Sequence, residues 1–326
     1  MRILLSAYSL VSRSVCAWKA ARYHSGRKSA RRASLPVIAV GNLTLGGSGK
    51  TPLVMELIDR LLGRGFHPAL VTRGYRGSWE KSGGMLSDGR RVFGGWQEGG
   101  DEPMMIARRY PEAGVFVGRR RLPSCLKAKD RGLDVCLLDD AFQHLEIARD
   151  LDIVIHDPRS REPFRESETA LSRADILLIP GGLDPRTIAA YRRRFPRLDV
   201  FEYVVKPRGF EPQLLPGQRI FAFAGIARPE RFFELLDTLG VAPVGRLAFP
   251  DHYTFPAAGR AKIAAAARRL KAEALVTTEK DAVKFGSDGL TFQGLPLHVL
   301  RIGLDLPETF YDRVVTAATR SRERNG

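Results

Sequence analysis

Pro36-Val37-Ile38-Ala39-Val40-Gly41-Asn42-Leu43-Thr44-Leu45-Gly46-Gly47-Ser48-Gly49-Lys50-Thr51-Pro52 runs from a short apolar segment through a glycine-rich turn into a stretch with helical spacing. The apolar part reads as a strand over Val37 to Gly41, and Pro52 to Leu62 reads as the helix that follows. Small residues let consecutive backbone N–H groups approach phosphate oxygens, and the helix start adds partial positive charge. The Lys50 ammonium reaches β- and γ-phosphates and the Thr51 hydroxyl suits Mg2+. Thr44, Leu45, Gly46, Gly47, Ser48, Gly49, Lys50 and Thr51 are therefore the candidate nucleotide-binding residues. The GxxxxGK[ST] pattern asks for Gly where this chain has Thr44, so the reading rests on the strand-loop-helix context, with a plain glycine-rich turn as its alternative.

Outward from this loop, short apolar runs alternate with amphipathic stretches, as in an α/β domain with a mostly parallel sheet flanked by helices. Strands are expected at Ala69 to Thr72, Val115 to Gly118, Val135 to Asp139, Ile153 to His156 and Ile176 to Ile179. Helices are expected at Pro103 to Arg109, Arg120 to Asp130 and Thr187 to Arg194. The stretch from Val200 to Pro207 reads as a proline-containing connection. The pattern then restarts with a strand at Ile220 to Ala224, a helix at Glu230 to Leu239, a strand at Ala274 to Thr277 and a last helix after Pro307. The 326 residues suit two domains. The expected division is a P-loop NTPase-like domain over residues 35–203 and a smaller α/β domain over 204–326, preceded by an arm over 1–34.

A nucleotide site needs acidic residues near Mg2+. Val135-Cys136-Leu137-Leu138-Asp139-Asp140 supplies a strand ending in two carboxylates, which repel one another unless a cation lies close. Asp101-Glu102-Pro103 opens a helical stretch, where Asp101 could equally cap the helix. His144 and His252 lie beside carboxylates, whereas His67, His156 and His298 border apolar segments; spacing alone promotes none of them. Arg119-Arg120-Arg121 could bind a substrate phosphate or simply open a solvated helix.

Lys and Arg number 52 against 36 Asp and Glu, a formal charge of +16, which favours anionic partners. Half of that excess lies in the arm, where Arg2, Arg13, Lys19, Arg22, Arg27, Lys28, Arg31 and Arg32 occur before any acidic residue. Ile3, Leu4, Leu5, Tyr8, Leu10, Val11, Val15 and Trp18 recur there at spacings near three and four, giving an amphipathic helix suited to an anionic membrane surface. The alternatives are docking of the apolar stripe on the domain and a cleaved targeting segment. No apolar run reaches the roughly 18 to 20 residues a bilayer span needs. Cys16, Cys125 and Cys136 form no CxxC pair, which disfavours a disulfide framework or structural zinc and fits a reducing cytoplasm.

Taken in order, the glycine-rich loop, Arg73-Gly74-Tyr75, Asp101-Glu102-Pro103, Asp139-Asp140-Ala141-Phe142-Gln143-His144, Ala222-Phe223-Ala224-Gly225-Ile226, Phe249-Pro250-Asp251-His252 and Thr277-Thr278-Glu279-Lys280-Asp281 resemble the tetraacyldisaccharide 4′-kinases of lipid A synthesis. The resemblance covers roughly residues 36 to 285. It implies a two-domain lipid kinase that uses ATP and Mg2+ to phosphorylate an acylated glucosamine disaccharide 1-phosphate. It also implies peripheral placement on the cytoplasmic face of the inner membrane of a Gram-negative bacterium; separately, the positive charge clusters in an apolar arm with no recognition motif beside it, so no nucleic-acid partner is expected. By position, Asp101 is the candidate base, supported by His252, with Lys50 on phosphate and with Thr51, Glu102, Asp139 and Asp140 around the metal.

Two departures bear on the site. Ala141 stands where the family has Gly, which brings into question a backbone of positive φ there. A later Arg-Glu-Pro motif supplies an acidic residue, and here Arg161-Glu162-Pro163 matches in letters while Arg165-Glu166 matches in spacing to Arg173-Ala174-Asp175; Glu166 is preferred as the metal-proximal residue. The rival class is a nucleotide-driven switch ATPase or GTPase of the partitioning or metal-delivery type. Such a protein would hydrolyse nucleotide without lipid and engage a partner protein.

Overall fold

The computed structural model describes residues 2–44, 49–286, 291–292 and 294–325. Its strands are β1 (Val37–Asn42), β2 (Pro68–Thr72), β3 (Gly84–Asp88), β4 (Gly114–Val117), β5 (Val135–Leu138), β6 (Leu151–Ile155), β7 (Ile176–Pro180), β8 (Asp199–Glu211), β9 (Ile220–Ala224), β10 (Gly245–Ala248), β11 (Ala274–Thr278), β12 (Thr291–Phe292) and β13 (Leu295–Asp305). They join in one sheet in the order β10-β9-β11-β13-β8-β7-β6-β1-β5-β2-β4-β3, with β12 on β13. The pairs from β8 through β7, β6, β1, β5 and β2 to β4 are parallel, as are β10-β9-β11-β13. The two parallel blocks meet through the antiparallel pair β8/β13.

That junction corrects one expectation. Val200 to Pro207, read as a connection, lies inside the 13-residue strand β8. Asp199 to Tyr203 pair with β7, and Val204 to Glu211 pair with β13. Pro207 has no N–H to give the ladder, and the strand absorbs it where the register shifts between Arg301 and Ile302. Proline there marks a bulge rather than an end.

The other expected elements lie close to their predicted bounds, and the structure adds elements that the sequence reading did not contain, among them β3, β10, β12, β13 and the helix Ala257–Arg269. β1 is buried at every residue, as a strand covered on both faces must be. The helix Lys50–Gly63 buries Leu53, Val54, Leu57, Ile58 and Leu61, spaced at three and four, against β1 and the C-terminal helix Glu308–Asn325. Pro52 falls in its first turn, where no intrahelical N–H is needed. On the opposite face, Val37, Ala39, Val71, Phe116, Cys125, Cys136 and Leu138 form a second apolar layer with the helix Arg121–Asp130. The far block is cored by aromatic edge contacts among Phe223, Phe255, Phe285 and Phe292. Because β5, β1 and β6 are adjacent and parallel, the segments leaving β1 at Asn42 and β5 at Leu138 emerge together at the carboxyl edge, where open α/β sheets bind ligands.

The N-terminal helix Arg2–His24 lies against the segment around residue 164. Ser9 and Ser12 donate to the carbonyls of Phe164 (2.7 Å) and Arg165 (3.3 Å). Val11, Val15 and Trp18 remain 64%, 55% and 62% exposed. No helix among the described residues is long and apolar enough to cross a membrane.

Candidate active site

Gly49 precedes the helix Lys50–Gly63 at φ +83°, a left-handed conformation that a side chain would strain. Leu45, Gly46, Gly47 and Ser48 lie outside the described residues. Thr44, buried, forms a bridge to Phe164 across the loop's start. Lys50 follows Gly49 and places its ammonium 3.0 Å from Asn42 Oδ1 and 3.2 Å from Asp140 Oδ1. Asp140 also receives the Arg165 guanidinium at 2.9 and 3.0 Å. Burial pushes its carboxyl up, but Lys50 and Arg165 outweigh that and hold it well below the usual carboxylate range.

Positive φ is required at Asp140 (φ +49°), not at Ala141, so the substitution of Gly by Ala costs the turn nothing. The close approach is made instead at Gly41, where a Cβ would lie 2.5 Å from that of Phe142. Arg149 donates to the carbonyls of Ala141 and Phe142, each at 3.2 Å, and pairs with the buried Asp152 at 3.0 Å, pinning the turn from behind.

Asp139 has the opposite character. Burial and the neighbouring Asp140 drive its carboxyl up to about 6, against the pull of Lys50. Its Oδ2 accepts from Thr72 at 3.0 Å, while Oδ1 is buried with no hydrogen-bond partner. An orphaned carboxylate oxygen is costly unless a cation or proton meets it. Thr51 lies across the same region and donates to Glu102 Oε2 at 3.1 Å. Among the described residues no group of three or more His, Cys, Asp or Glu is arranged to hold a metal by itself. This donor set suits Mg2+, which takes one or two carboxylates, keeps several waters and draws its other oxygens from substrate phosphates.

The expected five-residue metal set is thus not a single cage. Glu166 is buried, bidentate with Arg173 at 2.8 and 3.1 Å, and 3.4 Å from Gln143, whose amide also reaches the Asn42 carbonyl at 2.9 Å. Its backbone N–H and that of Arg165 both donate to the Leu43 carbonyl. Glu162 instead pairs with Arg228 of the far block. Of the two, Glu166 is the one held beside the loop.

The helix expected from Pro103 begins two residues earlier, at Asp101, with Gly100 as its N-cap, so Asp101 does not cap it. Its carboxylate is buried and 2.9 Å from His252 Nδ1, a contact made between residues 151 positions apart. Burial raises the Asp101 carboxyl, but the His252 hydrogen bond, Lys280, and Lys284 at 3.5 Å bring it down to about 2. His252 sits at φ +60° in the turn after β10, which Phe249, Tyr253 and Phe255 staple by stacking and edge contacts.

Asp101, Glu102, Thr51, Lys50, Asp140, Asp139 and His252 are thereby linked into one polar tract by direct contacts and electrostatic neighbours. Sequence reading left Lys280, Lys284, Gln143 and Thr72 without roles. Lys284, three residues after Asp281 and 3.1 Å from it, could have been found from that helical spacing. The arginine run is divided: Arg119, paired with Glu80, and Arg120 are exposed, whereas Arg121 is buried and donates to the carbonyls of Gly118 and Asp139. His156 meets Glu168 and His298 meets the Pro212 carbonyl, both structural contacts.

Comparison with known proteins converges on one family. The family model described as tetraacyldisaccharide-1-P 4′-kinase matches residues 1–319. A tetraacyldisaccharide 4′-kinase of Syntrophus aciditrophicus is 38% identical over 294 residues, covering 79% of this chain and 78% of that protein. One of Desulfatibacillum aliphaticivorans is 34% identical over 337 aligned residues, covering 94% and 89%. The crystal structure of LpxK from Aquifex aeolicus in complex with ATP matches with a TM-score of 0.76 at 24% identity, over 97% of this chain and 99% of that one, and so shares the fold.

Proposed function

The chain belongs to the tetraacyldisaccharide-1-P 4′-kinase family, and from that premise we propose that it transfers the γ-phosphoryl group of ATP to the 4′-hydroxyl of a tetraacylated glucosamine disaccharide 1-phosphate. The observation that carries this reading is the Asp101–His252 contact, made across the molecule within reach of the Thr51–Glu102 pair. A carboxylate kept ionised by an imidazole N–H accepts a hydrogen bond from a sugar hydroxyl and then its proton, while the new O–P bond forms and the bond to the β-phosphate oxygen breaks. In such transfer positioning and charge compensation carry most of the catalysis.

Lys50 is suited to that compensation, since its ammonium already rests between Asn42 and Asp140. Asp139, through its unpartnered Oδ1, and Glu102 with Thr51 would hold Mg2+, while Asp140 is engaged by Lys50 and Arg165 and Glu166 is set behind Gln143 as an orienting neighbour. Bound Mg2+ would neutralise charge developing on the phosphate oxygens.

The N-terminal helix supports peripheral attachment to a membrane carrying anionic lipid, on the cytoplasmic face of the inner membrane of a Gram-negative bacterium. Val11, Val15 and Trp18 follow one another at helical spacing on its exposed side, and Arg22 lies 4.7 Å from the Trp18 ring, a pairing suited to an interfacial aromatic beside phosphate headgroups. The strand-partner switch within β8 supports a boundary near residues 203 and 204, while the C-terminal helix Glu308–Asn325 returns to pack on the first unit, so the second unit does not run unbroken to residue 326.

The test is incubation with Mg2+ and γ-labelled ATP, with and without detergent-dispersed tetraacyldisaccharide 1-phosphate. Label at the 4′ position is the expected result. Hydrolysis without lipid labelling overturns it in favour of a nucleotide-driven switch.

A further inference from the structure

We propose that Lys280 is a positioning residue for the Asp101–His252 pair, fixing His252 in the tautomer that carries its proton on Nδ1 and so aiming the one N–H of the imidazole at Asp101. Lys280 lies on the short helix Glu279–Ala282 that follows β11, with its side chain 19% exposed. Its ammonium is 3.4 Å from His252 Nε2, 3.4 Å from Glu102 Oε1 and 3.6 Å from Asp251 Oδ1. An ammonium only donates, so Nε2 must be the bare nitrogen of the ring. An ionised carboxylate only accepts, so Nδ1, 2.9 Å from Asp101 Oδ2, must carry the hydrogen. The two contacts select one tautomer jointly, against the pull of Asp251 on Nε2.

The surroundings of His252 make Lys280 decisive. Asp251 Oδ2 lies 3.7 Å from Nε2, and the edge-on ring of Tyr75 is 5.7 Å away between centroids. Without Lys280, the remaining polar neighbour of Nε2 is a carboxylate, which favours a proton on that nitrogen. The same segment builds the seat: Asp281 accepts from Gly225 N–H (2.7 Å), and the Gly225 carbonyl accepts from His252 N–H (3.1 Å), holding a residue at positive φ. Lys284, buried, meets Asp101 at the same Oδ2 that His252 uses. Both contacts fall on one carboxylate oxygen, which leaves Oδ1 to receive a substrate hydroxyl.

This inference rests on Asp101 as the acceptor of that hydroxyl, and its first readout needs no substrate. Long-range proton–nitrogen correlation spectra of the 15N-histidine-labelled full chain report the tautomer directly, with His252 assigned by its absence from a His252→Asn spectrum. The wild-type protein should show Nδ1–H with a bare Nε2. Lys280→Met should shift the ring toward a protonated Nε2, and Lys280→Arg, which keeps a donor, should restore the wild-type pattern. In the labelled-ATP assay Lys280→Met should lower kcat by about tenfold or more, with Lys280→Arg less affected and the KM for ATP changing less than kcat. A wild-type ring protonated on Nε2, or an unchanged tautomer in Lys280→Met, overturns the proposal. Should Lys280→Met fail to fold, Lys280→Gln against Lys280→Arg makes the same comparison. Failure of the wild-type protein to label lipid would count against the kinase reading alone.

Discussion

Asp139 and Asp140 are consecutive carboxylates driven in opposite directions by what each one faces. Asp140 turns to Lys50 and Arg165 and stays ionised, whereas Asp139 turns inward to Thr72 and rises to about 6 with its Oδ1 unpartnered. One peptide unit thus spans two environments: Asp140 pairs with Lys50, and Asp139 leaves one buried oxygen unpartnered.

Removing the Asp139 charge should therefore stabilise the metal-free protein and abolish its response to Mg2+. Thermal unfolding of Asp139→Asn without Mg2+ should show a midpoint at or above wild type, because a buried charge repelled by Asp140 is removed. Added Mg2+ with ATP should raise the wild-type midpoint and leave the variant's nearly unmoved. Equal Mg2+ responses would remove Asp139 from the metal site.

Lys50→Ala should reduce transfer by about a hundredfold or more, the scale of losing a preorganised charge from a transition state. The loss should extend to Asp140, which would keep only Arg165. Labelled-phosphate transfer measures it, and retained activity would mean that another cation compensates the γ-phosphate.

Asp101→Asn keeps the shape of the side chain and removes its basicity. The expected outcome is a kcat lower by roughly two to four orders of magnitude with nearly unchanged binding of ATP, read by single-turnover labelling and equilibrium nucleotide titration. A parallel loss of ATP binding would place Asp101 in the nucleotide pocket instead.

The first strand and the helix start at Lys50 were legible because each rests on local chemistry: an apolar run, then Gly49, Lys50 and Thr51. Strands β1, β2, β5 and β7 likewise came from contiguous apolar runs within a residue or two of their observed ends. What sequence could not reveal depends on distant pairing. Pro207 looked like a break because proline removes a ladder donor, and only the register of β13 shows the bulge that accepts it. Lys280 was visible as a letter in a motif, yet its role arises from His252 and Glu102, which lie 28 and 178 positions earlier in the chain. Arg121 read as either a phosphate ligand or a solvated helix start because the Asp139 carbonyl it meets lies 18 positions away.

Asp152 should give the fold a measurable pH dependence apart from the catalytic tract. Burial lifts its carboxyl to about 7 despite Arg149, with Asp175 adding repulsion. The native state then binds this proton more tightly than the unfolded chain, whose ordinary value is 3.8. The associated stability is fully present below that value and is lost as pH rises through about 7. Asp152→Asn should therefore gain stability relative to wild type as pH is raised from 5 to 8, checked by urea midpoints across that range. A constant difference would show that Arg149 holds Asp152 ionised throughout.

The membrane reading is better tested by point substitution than by deleting the arm. A deletion through residue 34 would also remove Ala33 from the second apolar layer and the Ser9 and Ser12 bonds to the segment beside Glu166. Val11, Val15 and Trp18, by contrast, are already mostly in water, so Val11→Ser, Val15→Ser and Trp18→Ser together should leave the unfolding midpoint nearly unchanged. They remove apolar surface that could enter a lipid interface, at about 25 cal/mol per Å2 of area buried. Co-flotation with vesicles containing anionic phosphatidylglycerol should fall sharply in the triple variant, and wild-type binding should weaken with salt because Lys and Arg on the same helix act through screened attraction. Undiminished flotation of the triple variant would locate attachment elsewhere on the molecule, and flotation insensitive to salt would exclude the basic residues as its source.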